Sequence, residues 1–207
     1  MFITFEGIEG SGKTTLMELL EGQLRAAGRD TLLTREPGGT DLGVAIRRAL
    51  LEPRGGTIEP LAELMLFAAD RAQHAATVIR PALEKGQVVL CDRFSDATVA
   101  YQGHGRGLPM DTVRTVDGAA RGGLLPDMTV LLDLPVHAGL ERVRARNEGS
   151  PDRAESRIDD EEAHFHERVR QGYLAMAGTE PGRFLVLDAR KPPAALAGLV
   201  RKEIRKR

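Results

Sequence analysis

A glycine-rich segment near the start of the chain, GIEGSGKT at Gly7–Thr14, constrains the fold more than any other feature. It fits the spacing G-x-x-x-x-G-K-[ST], follows an apolar run at Phe2–Phe5 that is typical of a buried strand, and precedes a stretch with leucines at helical spacing. Glycines let backbone N–H groups converge on phosphate oxygens, and the N-terminus of the next helix adds partial positive charge. The segment therefore predicts a phosphate-binding loop and a nucleotide-binding protein.

The loop and the residues after a later strand supply candidate chemistry. Lys13 can reach the β- and γ-phosphates of a nucleotide, and the hydroxyl of Thr14 can bind Mg²⁺. Asp92 follows the apolar run Val88–Leu90, where a carboxylate can hold Mg²⁺ or its water ligands. Arg93 can bind a phosphate through two parallel hydrogen bonds. The alternative for this pair is an ordinary Asp–Arg salt bridge at the start of a helix.

Length and charge narrow the class of protein. With 207 residues the chain suits one domain with a sizeable core, and we expect a single domain over residues 1–207. The net charge of −1 argues against a nucleic-acid surface. No apolar run approaches the length of a membrane span, and the first residues fit a strand rather than a signal peptide, so we expect a cytoplasmic protein without a membrane partner. Cys91 is the only cysteine, which excludes a disulfide framework and favours buried packing.

Short apolar strands alternate with helical stretches along the chain. Strands are expected at Phe2–Glu6, Asp30–Thr34, Gln87–Cys91, Met128–Asp133 and Arg183–Asp188. Helices are expected at Gly12–Ala27, Gly39–Leu51, Ile58–Glu84, Pro109–Arg121, Pro135–Arg146, Asp159–Gly178 and Pro192–Arg205. Strands of continuous apolar residues joined by helical crossovers predict an α/β fold, a three-layer α/β/α sandwich around a five-stranded parallel sheet. Ligands of such sheets bind at the carboxyl ends of the strands.

The long stretch Ile58–Glu84 carries two faces. Its apolar residues follow the spacing of a core stripe: Ile58, Leu61, Leu64, Met65 and Ala68. Three of them, Leu64, Met65 and Ala68, could instead supply an apolar face between subunits. Phe67 lies off that stripe and shares a face with Glu63 and Arg71. An aromatic ring and an arginine on one face can stack on a nucleotide base and hydrogen-bond it, although a peripheral core position would suit Phe67 equally well.

Two further segments contain glycine turns. Arg35–Thr40, with the sequence REPGGT, combines a turn with opposite charges that could approach a ligand, or it is simply a turn before a helix. Ala100–Gly107 is expected to end a helix in a glycine-rich loop. Within it, Tyr101 and Gln102 could line a sugar pocket or cap the helix.

An arginine-bearing segment at about residues 142–157 completes the candidate chemistry. The linker-like run 147–152 is flanked by Arg142, Arg144, Arg146, Arg153 and Arg157. A solvated charged helix is one interpretation. The functional interpretation is a short lid that brings Arg146 or Arg153 over the transferring phosphoryl group.

Other phosphate-loop proteins fit the sequence less well. A GTPase switch would need an Asn-Lys-x-Asp motif, and Asn147 is the only asparagine. A motor or transporter ATPase would have an apolar strand that ends in Asp-Glu, and no strand here does. An arginine lid is typical of kinases that phosphorylate small nucleotides, because its closure excludes water and directs the γ-phosphoryl group to the acceptor.

Several motifs in order resemble the bacterial thymidylate kinase family, over nearly the whole chain. They are FEGIEGSGKTT at Phe5–Thr15, TREPGGT at Thr34–Thr40, LFAADRAQH at Leu66–His74, DRF at Asp92–Phe94, AYQG at Ala100–Gly103 and LDA at Leu187–Ala189. The resemblance implies a Mg²⁺-dependent transfer of the γ-phosphoryl group of ATP to dTMP, giving dTDP and ADP for dTTP synthesis. It also implies a single P-loop kinase domain and a homodimer.

The resemblance also assigns residues. For ATP it implies Gly7, Ile8, Glu9, Gly10, Ser11, Gly12, Lys13, Thr14 and Thr15; for dTMP it implies Glu9, Glu36, Pro37, Phe67, Arg71, Arg93, Thr98, Tyr101 and Gln102. The catalytic set would be Lys13, Asp92, Arg93, Arg146 and Arg153, with Thr14 and Asp92 at the metal. Phe67 would stack on thymine, Arg71 would hydrogen-bond its O4 atom, and Tyr101 would disfavour a 2′-hydroxyl. The loop after Asp188 would lie beside the adenine of ATP.

Two rival functions remain open at this point. A related kinase would phosphorylate dUMP, dCMP or thymidine, and Arg71 argues for a carbonyl over an amino group on the base. A non-catalytic nucleotide-binding module would have no need of the Asp92–Arg93 pair or of the arginine segment. The sequence does not decide which lid arginine acts, because the run Gly149–Pro151 is not typical of the family.

Overall fold

The computed structural model describes residues 1–52, 57–148, 158 and 161–207. Its sheet consists of β1 (Phe2–Glu6), β2 (Thr31–Arg35), β3 (Val88–Asp92), β4 (Met128–Asp133) and β5 (Phe184–Asp188). The strand order is β2-β3-β1-β4-β5, and every pairing is parallel. The predicted five-stranded parallel sheet is confirmed, with strand boundaries within one residue of those expected from the apolar runs.

Helices connect the strands. They are α1 (Lys13–Ala26), α2 (Asp41–Leu51), α3 (Pro60–His74), α4 (Arg80–Glu84), α5 (Ser95–Thr98), α6 (Met110–Arg121), α7 (Val136–Glu148), α8 (Ala163–Thr179) and α9 (Pro193–Ile204). Two π-helical segments, Ala75–Ile79 and Val99–Gly105, continue α3 and α5 without a break. The segment expected as a glycine-rich loop at Ala100–Gly107 is therefore helical as far as Gly105, which corrects that prediction.

Both faces of the sheet are covered, as expected for continuous apolar strands. Alternate residues of β1 point to opposite sides: Ile3 packs in a cluster with Leu16 and Leu20 of α1. Phe2 packs in a separate cluster with Ile79 and its neighbours. The three-layer α/β/α arrangement is thus confirmed. Among the described residues, none of the helices combines the length and apolar character needed to span a membrane.

The apolar stripe predicted for α3 is wrong in part. Leu64 and Ala68 are buried, but Leu61 and Met65 are each 48% exposed. The face turned to the protein interior instead carries Glu63 together with other polar side chains: Asp70, Arg71 and His74. Helical spacing alone could not reveal this, because the interior at this edge of the sheet is a polar network rather than an apolar core.

Candidate active site

The phosphate-binding loop depends on glycine backbone geometry. Gly7 has a φ of 136°, and a Cβ there would lie 2.5 Å from the carbonyl oxygen of Leu132. Gly10 has a φ of 72°, and a Cβ there would collide with the carbonyl of Gly139. Helix α1, which starts at Lys13 within the loop motif, has no side-chain cap and no acidic residue in its first turn. Its first N–H groups are therefore oriented towards a site that suits an anion.

The side chain of Lys13 is buried against this loop. Its Nζ donates to the carbonyl oxygens of Gly7 and Ile8, at 3.1 Å in each case. Burial, reinforced by the nearby Arg93, lowers the pKa of Lys13 to about 8. Phosphate oxygens on the loop would offer the ammonium group negative partners and favour its charged form.

The predicted metal ligands meet at the end of β3. Thr14 Oγ1 donates to Asp92 Oδ2 over 3.2 Å, while Asp92 Oδ1 is buried and has no hydrogen-bond partner among the described residues. A hydroxyl beside a carboxylate with an unpartnered oxygen fits a hard divalent cation such as Mg²⁺. The described residues contain no group of three or more His, Cys, Asp or Glu side chains able to hold a metal, so nucleotide phosphates or water would complete the coordination.

Arg93 is held in an unusual conformation at the strand end. Among the described residues it is the only one besides glycines with a positive φ, at 68°. Its Nη2 donates to Glu9 Oε1 over 2.8 Å, and its guanidinium lies 4.8 Å from the centre of the Tyr101 ring. The structure therefore brings together the phosphate loop, the residue after β3 and the π-helical segment, which lie far apart in sequence.

Glu9 is the point where these elements converge. Its Oε1 also accepts a 2.6 Å hydrogen bond from the hydroxyl of Tyr101, and Nδ1 of the buried His166 lies 3.2 Å from its Oε2. Burial alone would raise the pKa of Glu9, but Arg93 and the His166 contact hold it well below its usual range. The sequence did not single out His166, because this residue belongs to α8 and no local motif contains it.

Arg71 is almost fully buried and makes a dense set of contacts. Nε donates to Glu36 Oε2 at 3.0 Å, Nη1 to Thr98 Oγ1 at 2.6 Å and Asp117 Oδ1 at 2.8 Å, and Nη2 to the carbonyl of Phe94 at 2.8 Å. Although burial opposes its charge, the carboxylates of Glu36 and Asp117 raise its pKa. Asp117 was not anticipated from the sequence, since it is one acidic residue on an otherwise ordinary helix.

The turn after β2 is fixed by side chains of α3. Glu36 Oε1 lies 2.9 Å from Nδ1 of the buried His74, and the N–H of Gly38 donates to Asp70 Oδ1 over 3.0 Å. Burial, together with the charge of Glu36, raises the pKa of Asp70 to about 6. The buried Pro37 lies between these two attachments, so the position of the predicted dTMP-binding turn depends on α3.

Two further predicted acceptor residues, Phe67 and Gln102, lie on α3 and on the π-helical segment after α5. Phe67 is half-buried and packs against the main core cluster. Gln102 is fully buried, and its Nε2 donates to Glu63 Oε1 over 2.9 Å. Phe67 therefore has core contacts on one side and remains accessible on another, and both predicted roles stay compatible with its position.

The arginine segment is described only in part. Arg142 Nη1 on α7 donates to the carbonyl oxygens of Gly10, at 3.3 Å, and Ala189, at 3.2 Å. It thus links the phosphate loop to the turn after β5, a contact that the sequence did not predict. Arg146 lies exposed on the same helix. Arg153, like the rest of residues 149–157, lies outside the described residues.

The glycine loop, the lysine at the start of α1 and the parallel sheet define a P-loop nucleotide-binding protein. A family model described as thymidylate kinase matches residues 5–198. A thymidylate kinase of Desulfovibrio desulfuricans is 58% identical over 194 residues, 93% of this chain and 89% of the relative. Thymidylate kinases of Trichlorobacter lovleyi and Deinococcus radiodurans are each 52% identical, over 97% and 93% of this chain and 94% and 90% of the relatives.

The chain belongs to the thymidylate kinase family. It is an ATP-dependent nucleoside monophosphate kinase that phosphorylates dTMP to dTDP. The expectation drawn from the motifs is confirmed, and the non-catalytic binding module is excluded.

Proposed function

We propose that ATP and dTMP bind end to end, on opposite sides of the contact between Glu9 and Arg93. ATP lies along Gly7–Thr15 with its adenine beside the turn after β5, and dTMP lies between α3 and the helical residues 95–105. The observation that carries this arrangement is the 2.8 Å ion pair between Glu9 and Arg93. It joins a residue of the phosphate loop to the residue that the family resemblance assigns to the acceptor phosphate.

In this arrangement the reaction needs no general base. The attacking oxygen belongs to the phosphate of dTMP, which is already ionised near neutral pH. As this oxygen bonds to the γ-phosphorus, the bond from the γ-phosphorus to the β–γ bridging oxygen breaks and ADP leaves. Catalysis then depends on alignment and on neutralising the charge of the transferring group. We assign that neutralisation to Lys13 and Arg93, assisted by Arg146 or Arg153 from the lid.

Arg71 is assigned to the thymine carbonyl by a count of its donors. Arginine has five N–H donors, and the contacts to Glu36, Thr98, Asp117 and the Phe94 carbonyl use four of them. The fifth, on Nη2, has no partner among the residues that the structure describes. A buried N–H donor favours a carbonyl oxygen and disfavours the amino group that cytosine carries in its place. Phe67 would stack on the base, with Thr98 and Gln102 beside it.

We propose Mg²⁺ as the cation that accompanies ATP, with Thr14 and Asp92 as its protein ligands. The unpartnered Oδ1 of Asp92 supports this assignment. When bound, Mg²⁺ would neutralise part of the charge on the phosphate oxygens. The protein's own contribution is to hold the hydroxyl and the carboxylate 3.2 Å apart at the end of the loop.

We also propose a homodimer that uses the exposed apolar side of α3. Leu61 and Met65 are each 48% exposed, and a second copy of the chain would remove them from water. The single-domain organisation over residues 1–207 and the cytoplasmic location stay predictions.

The base-stacking role of Phe67 is tested by Phe67→Leu. We expect the KM for dTMP to rise about 10-fold, because loss of one base-stacking contact weakens binding by roughly 1–3 kcal/mol, while the KM for ATP stays unchanged. Phe184→Leu is the matched control, since Phe184 is a buried phenylalanine on β5 without an assigned contact to dTMP. An unchanged KM for dTMP in Phe67→Leu would assign Phe67 to the core alone.

A further inference from the structure

Glu6, the last residue of β1, is a buried carboxyl group that the reaction described above does not use. Its Oε1 accepts a 2.8 Å hydrogen bond from the backbone N–H of Phe94. Its Oε2 accepts a 2.7 Å hydrogen bond from the hydroxyl of Tyr173 on α8. A carboxyl group inside a protein is costly unless its oxygens have such partners, so the two contacts explain how Glu6 is tolerated there. They also connect three separate elements.

Both contacts of Glu6 lead to Arg93. The N–H of Phe94 is the peptide group directly after Arg93, whose φ of 68° lies in the region that side-chain-bearing residues rarely adopt. Residues in such conformations persist when their surroundings hold them. The backbone on the other side is held as well, because the N–H of Arg93 donates to the carbonyl of Phe5 over 3.0 Å. Glu6 therefore stabilises the backbone that places Arg93 at the site.

Glu6 is also linked to the side chain of Arg93, through the hydroxyl of Tyr173. Arg93 Nη1 donates to the Tyr173 hydroxyl over 3.3 Å, and that hydroxyl donates to Glu6. The contacts form a closed ring from the backbone after Arg93, through Glu6 and Tyr173, back to the guanidinium of Arg93. One carboxyl group thus restrains both ends of the same arginine.

We propose that Glu6 and Tyr173 are positioning residues for phosphoryl transfer, which fix the backbone and the guanidinium of Arg93 in the orientation that meets the phosphate. The proposal rests on the role assigned to Arg93 under the proposed function. Neither Glu6 nor Tyr173 needs to touch a substrate. Both act through Arg93.

The charge balance around Arg93 supports this role. Glu9 is already an anionic partner of the guanidinium, at 2.8 Å. A second full negative charge would further reduce the attraction of Arg93 for phosphate. Burial, with a contribution from Asp96, raises the pKa of Glu6 to about 8, which reduces the negative charge that Glu6 places beside Arg93.

A double-mutant cycle between Tyr173→Phe and Arg93→Ala tests the proposal. Tyr173→Phe keeps the buried ring and removes the hydroxyl link. We expect it to lower kcat about 10-fold in the otherwise unchanged enzyme, since misplacement of a reacting group costs up to about 100-fold, with the KM for ATP unchanged. In the Arg93→Ala background the same substitution should have no further effect on kcat. Equal losses in both backgrounds, or no loss in either, would overturn the positioning role.

Three further variants distinguish a positioning role of Glu6 from a general effect of removing a buried polar group. Thr4→Val removes another buried hydroxyl from β1, which pairs with Thr129 at 3.0 Å and does not contact Arg93; it should leave kcat unchanged. Glu6→Leu removes both links and should lose kcat as Tyr173→Phe does, whereas Glu6→Gln, which keeps an acceptor and a donor, should restore it. A Glu6→Leu variant with full kcat would contradict the proposal. If Arg93→Ala alone keeps full kcat, it is the assigned role of Arg93 that fails.

Discussion

The regions that we propose for the two substrates are built in different ways. The proposed ATP side is a continuous loop that offers backbone groups and one lysine, and its shape depends on glycines such as Gly7 and Gly10. The dTMP side is assembled from side chains on α3, α5, α6 and the turn after β2, joined by buried contacts around Arg71. In the proposed arrangement, phosphate, which is common to all nucleotides, is therefore bound by local backbone groups, while selectivity for one base depends on long-range side-chain contacts.

The first turns of α1 and α2 differ in whether a side chain occupies their N–H groups. Helix α1 begins without a side-chain cap or an acidic residue, which leaves its N–H groups for a phosphate. Helix α2 begins with Thr40, whose Oγ1 accepts from the N–H of Gly43 over 2.9 Å, and with Asp41 in its first turn. An anion is therefore favoured at α1 and disfavoured at α2.

The largest expected effect is on the ATP side. Lys13→Ala should lower kcat by about 1,000-fold, because it removes the one loop cation that we assign to the transferring group, and loss of a single stabilising donor costs roughly 100- to 1,000-fold. ADP release with saturating ATP and dTMP measures it. The exposed Lys85 provides the control, and Lys85→Ala should behave as the unchanged enzyme. A loss below 10-fold in Lys13→Ala would mean that the backbone alone carries catalysis on this side.

Arg71→Lys examines the side-chain network of the dTMP side. Lysine cannot reproduce the planar set of donors that meets Glu36, Asp117 and the base, so the KM for dTMP should rise about 100-fold while the KM for ATP stays the same. Arg183→Lys is the control, because Arg183 forms a comparable ion pair with the buried Asp96 without contacting Arg71. Both variants should lose stability. An equal rise of the dTMP KM in both would assign Arg71 to folding alone.

Replacing Glu6 by glutamine should change how the free energy of unfolding depends on pH. Because burial raises the pKa of Glu6 to about 8, the folded protein holds a proton that the unfolded chain releases near its ordinary pKa of 4.5. The contribution of Glu6 to the free energy of unfolding is fully present below pH 4.5, and it is lost as the pH rises from 4.5 to 8. Relative to the unchanged protein, Glu6→Gln should therefore gain up to about 1.4 kcal/mol of unfolding free energy for each pH unit in this range.

Urea unfolding at a series of pH values measures this difference. Glu18→Gln is the matched control, since Glu18 lies exposed on α1. A difference between Glu6→Gln and the unchanged protein that stays constant from pH 4.5 to 8 would contradict the burial argument.

The smallest effect is expected at the cap of α2. Thr40→Ala should cost about 1 kcal/mol of unfolding free energy, the usual value for loss of an N-terminal capping hydroxyl. It should leave the KM for ATP unchanged, since the contrast between the two helices gives phosphate binding to α1 alone. Thermal unfolding and ATP kinetics on the same sample provide the check. A higher KM for ATP would show that α2 also takes part in binding phosphate.

The sequence predicted the sheet and the phosphate loop closely, because their signals are local. Apolar runs such as Val88–Leu90 define strands wherever helices cover both faces, and the loop requires its glycines in a fixed spacing. The same logic failed on α3, where Leu61 and Met65 fit an apolar stripe but lie exposed. Periodicity shows that a helix has two faces; it does not show which face is inside when the interior is polar.

The side-chain network could be predicted only through family motifs. The motifs pointed to Glu9, Arg71 and Arg93, but the residues that contact them lie far away in sequence. His166 is 157 residues from Glu9, Asp117 is 46 residues from Arg71 and Tyr173 is 80 residues from Arg93. No local pattern marks a residue whose role depends on such distant contacts. The structure was needed to identify Glu6 as well, since a glutamate at the end of a strand is unremarkable until its buried partners are known.

Steady-state kinetics with dTMP and dCMP as alternative acceptors, at saturating ATP, test whether the contacts around Arg71 select the base. The two bases differ at the position that faces the fifth donor of Arg71 in the proposed arrangement. We expect kcat/KM for dTMP to exceed that for dCMP by on the order of 1,000-fold, since a site built to hydrogen-bond one group rejects an analogue that lacks it. Values within 10-fold of each other would contradict the claim that buried side-chain contacts around Arg71 select the base.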